Sequence, residues 1–194
     1  MKTLFALLLT TSLLGCASKR PSGAEIGPRV SQKEYESRMK SKTQVDKHYD
    51  GFHQLYETYV TFVDSDVQAL VLQRKSDVYQ WDMDKAQQER EKMFQENSSQ
   101  SKFFVVLFTP RRRLAHMDRK HSIWKVYLDL GAERYEAKIK KAKGQQESIR
   151  AIYPSLNRFS EAFEISFDVP MQAVEDGEAK FILTSSLGTS ELKF

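Results

Sequence analysis

The chain has 194 residues, of which 40% are hydrophobic and 29% charged, and its formal net charge is +4. This apolar content supplies one sizeable core and excludes a chain that is disordered throughout. The length suits a single domain. The positive excess is too small to indicate nucleic-acid binding without a concentrated basic surface, so we expect no nucleic-acid partner.

A leucine-rich apolar run, residues 4–14, follows the basic start of the chain. Eleven residues are too few to cross the hydrocarbon core of a bilayer, because crossing about 30 Å takes roughly 20 helical residues. The run has the proportions of the apolar core of a signal peptide. We therefore expect residues 1–15 to be a signal peptide and the protein to be exported without becoming an integral membrane protein.

The motif Leu13-Leu14-Gly15-Cys16 ends this run and contains the only cysteine of the chain. These four residues resemble the lipobox of bacterial lipoproteins. The resemblance implies that a diacylglycerol is joined to Cys16 by a thioether, that the chain is cleaved before Cys16, and that the new terminus is acylated, typically with palmitate. Two or more acyl chains hold a protein stably on a membrane. The alternative is an ordinary signal peptide that happens to contain a cysteine.

The residues that follow Cys16 bear on the location of the protein. In bacteria with two membranes, an aspartate directly after the lipidated cysteine typically retains a lipoprotein at the inner membrane, and Ala17-Ser18 carries no such signal. The resemblance therefore implies the outer membrane, with the protein at its periplasmic face. In a host with one membrane it implies the outer face of the plasma membrane. Pro, Gly and Ser recur through residues 16–30, which we expect to be a lipidated flexible tether.

Residues 31–194 are expected to form a single globular domain that begins with helices. Ser31-Gln32-Lys33-Glu34 has the spacing of a capping box and predicts a marginal helix over residues 31–47. Asp64-Ser65-Asp66 reads as a helix N-cap, and apolar residues at helical spacing predict helix over residues 65–96. Asp82 offers a second cap, so this region forms either two helices or one with a bend. Residues 52–63 fit a helix or a strand, and the cap that follows them favours a strand over residues 54–63.

From residue 102 onward the apolar residues recur with a period of two, which predicts strands and makes residues 102–194 β-rich. The predicted strands lie at residues 103–108, 124–128, 134–140, 149–153, 163–169, 181–183 and 192–194. With residues 54–63 they give about eight strands. We predict a mainly β fold with a helical insertion (α+β): an antiparallel β-sandwich of immunoglobulin-like size, with a long helix between its first and second strands that covers an edge or an open face.

The β-rich part also resembles an uncharacterised family of small bacterial envelope lipoproteins in which a helix precedes a β-domain. The resemblance covers roughly residues 50–194 and implies no activity. It rests on Tyr153-Pro154, Phe159, Phe163-Glu164-Ile165-Ser166-Phe167, Gly188 and Leu192-Lys193-Phe194.

No catalytic arrangement emerges from the spacing of the polar residues. Ser37-x-x-Lys40 and Ser122-x-x-Lys125 match a nucleophile motif whose partner motifs, S-D-N and K-T-G, do not occur. The four histidines have no cysteine beside them and do not recur at the spacing of a zinc site, so we expect no metal. Because no glycine-rich phosphate or dinucleotide motif is present either, we expect no cofactor.

A basic segment separates the predicted strands at residues 103–108 and 124–128. Loops placed by a rigid scaffold often carry function, so the segment predicts an anion-binding surface for lipid headgroups, lipopolysaccharide phosphate or an acidic envelope protein. A basic loop that is merely solvated is the alternative. Six cations fall within fifteen residues: Arg111, Arg112, Arg113, Arg119, Lys120 and Lys125.

The leading hypothesis for function is a non-enzymatic binding or envelope-assembly module that is attached to the membrane through Cys16. One alternative is an envelope hydrolase whose active site assembles from dispersed residues, and another is a carrier that holds an apolar ligand between helix and sheet. A deep polar cleft with perturbed pKa values would favour the hydrolase. A closed core with an exposed basic or apolar patch would favour the binding module, and a large apolar cavity would favour the carrier.

Overall fold

A computed structural model of the chain describes residues 23–194. The predicted signal peptide and the lipid attachment at Cys16 lie outside these residues. The described part contains five α-helices and nine strands. In chain order they are α1 (Gln32–Ser41), β1 (Thr43–Asp50), β2 (His53–Phe62), α2 (Ser65–Tyr79), α3 (Met83–Asn97), β3 (Ser101–Phe108), β4 (Lys125–Leu130), β5 (Glu133–Glu136), β6 (Lys138–Lys141), α4 (Gln146–Ile152), β7 (Glu161–Phe167), α5 (Met171–Glu175), β8 (Ala179–Ser185) and β9 (Gly188–Lys193).

The strands form two antiparallel sheets that pack face to face. The first sheet has the order β1-β2-β3-β7-β6 and the second has the order β5-β4-β8-β9. Large apolar side chains from both sheets fill the space between them, among them Phe103, Leu107, Trp124, Leu128, Phe163 and Phe181. The predicted antiparallel β-sandwich is thus confirmed, and so is its mainly β, α+β class.

A helical layer covers the other face of the first sheet. Phe104 and Val106 of β3 point into this second core, where they meet apolar residues of α1, α2 and α4. Phe103 and Val105 point into the core between the sheets. Because β3 is central and has both faces buried, its sequence reads as a continuous apolar run. The layers are therefore helix, sheet and sheet, and the inserted helical region covers an open face, as expected.

The predicted helix starts are confirmed by their capping bonds. Ser31 Oγ accepts a hydrogen bond from Glu34 N at 3.2 Å, and Asp64 Oδ1 accepts one from Val67 N at 2.8 Å. Asp82 Oδ1 accepts one from Lys85 N at 2.7 Å. The region predicted as helix over residues 65–96 is two helices, because Gln80 takes a left-handed conformation with φ 52° and Asp82 then starts α3.

The helix predicted over residues 31–47 is too long, since α1 ends at Ser41 and Thr43–Asp50 is an edge strand. Most side chains of β1 are exposed, so the sequence carries little of the alternation that marks a strand. Pairing with β2 decides its conformation. As a result the helical insertion lies between the second and third strands, not between the first and second.

The strand predicted over residues 149–153 is also wrong, because α4 occupies this part of the chain. Ile149, Ile152 and Tyr153 are all buried in the helical core. Their spacing of three and four residues places them on one face of a helix. The ring of Tyr153 lies parallel to that of Phe104, with 3.5 Å between the ring centres. Packing against β3 therefore selects the helix.

The strand predicted over residues 134–140 is two short strands that belong to different sheets. β5 pairs with β4 in the second sheet, and β6 pairs with β7 in the first. Ala137 lies between them, and its N–H donates to the carbonyl oxygen of Val126 at 3.0 Å. The chain thus changes sheet at Ala137 while the alternation of apolar residues continues, which is why the sequence pattern shows one strand.

Residues 23–30, which we name the strap, lie against α2. Gln73 Oε1 accepts hydrogen bonds from the backbone N–H groups of Ile26 and Gly27 at 2.8 and 2.9 Å. Ser76 Oγ donates to the carbonyl oxygen of Ala24 at 2.8 Å. The expectation of a free tether over residues 16–30 is therefore wrong for residues 23–30, and its remaining part, residues 16–22, lies outside the described chain.

Candidate functional site

The basic loop, residues 111–125, connects the first sheet to the second. Its backbone is held in place, because Trp124 Nε1 donates to the carbonyl oxygen of Leu114 at 2.5 Å. Ala115, Met117 and Trp124 are buried beneath it. The loop therefore has a fixed conformation, with its apolar side chains turned inward and its cations turned outward.

Five of the six predicted anion-binding residues have no ion-pair partner within residues 23–194. The sixth, Lys125, has its Nζ 3.5 Å from Glu136 Oε1, and both side chains are largely exposed. All six side chains are exposed to solvent. An exposed charged group without an ion-pair partner stays hydrated and is available to bind an anion. The five are Arg111, Arg112, Arg113, Arg119 and Lys120.

The structure places four of these six cations at two cavities, and Arg111 and Arg113 line neither of the two. Arg112 lines a cavity of about 500 Å³ where the loop meets α4 and the ends of β6 and β7. Arg119, Lys120 and Lys125 line a separate cavity of about 190 Å³ beside Glu136. The single surface expected from the sequence is therefore at least two neighbouring groups of cations on one loop.

Two more cations, which the sequence analysis did not identify, line the larger cavity. Lys141 and Arg158 line it together with Arg112, and its rim carries Phe159, which is 52% exposed. The guanidinium of Arg158 lies 4.6 Å from the centre of the Phe159 ring. The pairing of β3 with β7, and of β7 with β6, brings these residues to the end of the first sheet from which the basic loop departs. Only the strand register, which the sequence pattern did not give, could have found them.

The electrostatics of this cavity favour an anionic group. Its one carboxylate, Glu161, lies 2.6 Å from Lys141 Nζ and is neutralised by it, which leaves the guanidinium groups of Arg112 and Arg158. Guanidinium groups bind phosphate and carboxylate oxygens in pairs. Ser160 also lines the cavity and is only 7% exposed, and its Oγ has no hydrogen-bond partner within residues 23–194.

A second polar cluster contains the residue types of a serine hydrolase but not the geometry. His48 Nε2 lies 3.0 Å from Asp46 Oδ2, and the His48 ring stacks on Tyr56. The hydroxyl of Ser190 is 2.9 Å from that of Tyr56 and is fully buried. Burial also raises the pKa of Tyr56 to about 12. A catalytic nucleophile must be within reach of its substrate, whereas the Ser190 hydroxyl is buried where the edge strands β1 and β9 meet.

The remaining large pKa shifts belong to core tyrosines. Burial raises the pKa values of Tyr35 and Tyr153 well above their usual range. Tyr35 donates to the carbonyl oxygen of Ile152 at 2.6 Å, inside the helical core. Neither tyrosine lines the cavity beside the basic loop. These shifts follow from burial and do not indicate a catalytic acid or base.

An open groove of about 1000 Å³ lies on the outer side of α2, between α2, α3 and α5. Leu72 and Met171 form part of its wall, and the exposed ring of Phe94 stands at its side. The amide groups of Gln68 and Asn97 bond each other across it at 2.7 and 2.8 Å. The space between helix and sheet, where a carrier would hold its ligand, is filled by side chains.

Neither a membrane span nor a metal cluster forms in the described residues. Within residues 23–194 every helix is too short or too polar to cross a bilayer. In the same part of the chain, no three histidine, cysteine or carboxylate side chains come together as metal ligands. No protein-family model, curated protein or solved structure matches the chain.

Proposed function

We propose that the protein is an exported lipoprotein, anchored by acyl chains on Cys16, whose domain is a non-enzymatic binding or envelope-assembly module. The lipobox-like Leu13-Leu14-Gly15-Cys16 supports the anchor. Ala17-Ser18, directly after Cys16, lacks the aspartate that typically retains a lipoprotein at the inner membrane. This supports a location at the periplasmic face of the outer membrane. In a host with one membrane, the same anchor acts at the outer face of the plasma membrane.

The observation that carries the binding role is the set of outward-facing cations on a fixed loop. Arg111, Arg112 and Arg113 project from a 3-10 turn whose position is held by the bond between Trp124 and Leu114. Side chains placed by a fixed loop lose less conformational entropy on binding than those of a free loop. An anionic phosphate or carboxylate group is the chemistry that this surface suits.

The two alternative functions have weaker support. A hydrolase needs a nucleophile and a base that substrate can reach, and the Asp46, His48 and Ser190 cluster is closed. A carrier would have to use the groove beside Phe94, since the helical core is packed. Titration with a fluorescent fatty acid tests the carrier: saturable binding that the Phe94→Asp substitution abolishes would replace the binding module with a carrier.

The anchor is tested by labelling cells with palmitate and measuring the intact mass of the mature protein. We expect label in the wild type, a mass that fits cleavage before Cys16 plus a diacylglycerol and an acyl chain, and no label in the Cys16→Ser variant. An exported wild-type protein that takes up no label and keeps a free thiol would overturn the anchor.

The binding surface is tested by removing three charges from the loop. The triple substitution of Arg111, Arg112 and Arg113 by Gln should reduce binding to vesicles that contain phosphatidylglycerol, while a control that removes the same charge elsewhere should not. The control replaces Lys40, Arg90 and Lys193 by Gln. All three are exposed and have no ion pair within the described residues. Equal loss in both triples would show a general charge effect and overturn the role of the loop.

A further inference from the structure

The strap fixes where the chain leaves the domain on its way to Cys16. Gly23 lies so close to α2 that a β-carbon there would stand 1.9 Å from the carbonyl oxygen of Ser76. At Gly27 a β-carbon would stand 2.6 Å from the carbonyl oxygen of Ala69. The N–H of Ala24 donates to the carbonyl oxygen of Trp81 at 2.8 Å. Two glycines and a set of specific hydrogen bonds therefore hold the strap along α2, with Gly23 at the C-terminal end of that helix.

This docking shortens the free connection to the anchor. Seven residue steps separate Cys16 from Gly23, and a fully extended chain of that length spans at most about 25 Å. If the strap were free, the connection to Gln32 at the start of α1 would have sixteen steps, which span at most about 55 Å. The end of the domain that carries Gly23 is therefore kept close to the surface in which the acyl chains sit.

Aromatic and apolar side chains are exposed on the surface beside Gly23, among the carboxylates of Asp82 and Asp84 at the start of α3. Trp81, whose carbonyl oxygen binds the strap, stacks on Tyr79 with 6.1 Å between ring centres. Tyr79 is 41% exposed and Met83, at the start of α3, is 51% exposed. Tyrosine and tryptophan side chains are enriched at the level of lipid headgroups, because each has an apolar body and a polar tip.

The cations of the larger cavity belong to the same end of the molecule. The hydroxyl of Tyr79 lies 3.4 Å from the position that a β-carbon would take at Gly144. Gly144 lines the cavity that Arg112, Arg158 and Phe159 also line. The α2–α3 turn, the cavity rim and the exit of the strap are thus neighbours. Basic residues near an anionic leaflet contribute about 1 kcal/mol each to membrane binding.

We propose that this end of the domain, formed by Tyr79, Trp81, Met83, Arg112, Arg158 and Phe159, rests on an anionic phospholipid bilayer and is held against it by the strap. The inference rests on the proposed acylation of Cys16. It adds a defined orientation, in which the α2–α3 turn and the cavity rim face the lipid and the opposite end, at the start of α2, faces away. Lys193 lines a cavity with Ser65 at that end, and Lys40 lies in the last turn of α1, two residues before the Lys42 that pairs with Asp64. The acyl chains on Cys16 hold the protein on the membrane, and this surface adds the orientation.

The test is depth labelling of the intact lipoprotein in vesicles of phosphatidylcholine and phosphatidylglycerol. With the Cys16 sulfur in a thioether, one introduced cysteine is the only free thiol of the chain. An environment-sensitive fluorophore on Met83→Cys or Phe159→Cys should shift to shorter wavelength and be quenched by headgroup-region nitroxide lipids. The same label on Lys40→Cys or Lys193→Cys should do neither. Equal exposure of all four labels to water would overturn the proposed orientation.

The role of the strap is tested by releasing it. Gln73→Leu keeps the size of the side chain but leaves the N–H groups of Ile26 and Gly27 without their acceptor. We expect the lipid quenching of the label at Met83 to fall, with no change in acylation. Gln87→Leu, on the exposed side of α3, is the control. Full quenching in a folded Gln73→Leu protein would overturn the strap as the orienting element. If that variant does not fold, Gly27→Ala provides the same test.

The acyl anchor and the proposed orientation can be overturned separately. An intact mass without acyl groups on Cys16 removes the anchor, and the orientation with it. An acylated protein whose labels at Met83 and Phe159 stay in water keeps the anchor and loses only the orientation.

Discussion

The indole nitrogen of Trp124 donates a hydrogen bond of 2.5 Å to the carbonyl oxygen of Leu114, so the end of the basic loop holds its beginning. The same indole packs edge-on against Tyr56, with 5.0 Å between ring centres. Tyr56 in turn is bonded to Ser190 across the two sheets. The buried side chain of Trp124 therefore connects the basic loop to the edge of the sandwich at which Tyr56 and Ser190 join the two sheets.

Replacing Trp124 with Phe should loosen the basic loop. The substitution removes the donor from the Leu114 carbonyl and part of the buried volume, which together should lower the free energy of unfolding by about 2–4 kcal/mol. Urea unfolding measures this loss. Hydrogen exchange of the amides of residues 111–123 should also become faster. Trp81→Phe, at a partly exposed site, is the matched control and should change both much less. Unchanged exchange in Trp124→Phe would mean that other contacts hold the loop.

Local sequence signals gave the parts of this fold in which neighbouring residues decide the structure. Asp64 and Asp82 start helices because an N-cap bond spans three residues. Strand β7 shows strict alternation because one of its faces lies in the sandwich core. The central strand β3 was recognised by its length and by the residues that end it. In each case the deciding information lies within a few positions.

The features that were missed depend on distant contacts. Tyr153 ends a helix, although residues 149–153 alternate like a strand, because it stacks on Phe104 almost fifty residues away. Thr43–Asp50 is an edge strand through its pairing with β2, in spite of its polar side chains. The candidate site shows the same division. Its cations on residues 111–125 are a local cluster, whereas Lys141 and Arg158 arrive through strand register.

Asp64 should contribute much more to stability than Asp66, although the two carboxylates are two residues apart. Asp64 is nearly buried, caps Val67 N and lies 2.6 Å from Lys42 Nζ. Its replacement by Ala should cost about 1–2 kcal/mol. Asp66 is exposed and 3.9 Å from Lys42, so its replacement by Ala should cost only a few tenths. Thermal and urea unfolding of both variants give the comparison, and equal effects would contradict the capping role.

Gly27 should be required for the strap to dock. A methyl group there would clash with the carbonyl oxygen of Ala69, so Gly27→Ala should free residues 23–30. In the wild type the guanidinium of Arg29 donates to the carbonyl oxygen of Gly23 at 2.8 Å, and we expect slow tryptic cleavage after Arg29. Gly27→Ala should accelerate that cleavage, and Glu147→Ala, at an exposed position on α4, should not. Similar cleavage rates in all three proteins would show that the strap is not protected.

Stability should fall at alkaline pH because three buried tyrosines resist ionisation. Unfolded tyrosines lose their protons at about pH 10. In the folded state burial raises the pKa of Tyr56 to about 12 and the pKa values of Tyr35 and Tyr153 further. Above about pH 10 the unfolded state therefore binds fewer protons than the folded state, and the free energy of unfolding decreases as pH rises. Urea unfolding between neutral and alkaline pH should show a plateau followed by this decrease.

Tyr153→Phe should make that decrease less steep. The Tyr153 hydroxyl has no hydrogen-bond partner within residues 23–194, so its removal should leave stability at neutral pH nearly unchanged. Tyr35→Phe is the contrasting variant. It also removes a hydroxyl group that ionises at alkaline pH, but it leaves the carbonyl oxygen of Ile152 unpaired. It should therefore lower the free energy of unfolding by about 1–2 kcal/mol at neutral pH. If Tyr153→Phe loses stability with pH as steeply as the wild type, ionisation of Tyr153 does not contribute to alkaline unfolding.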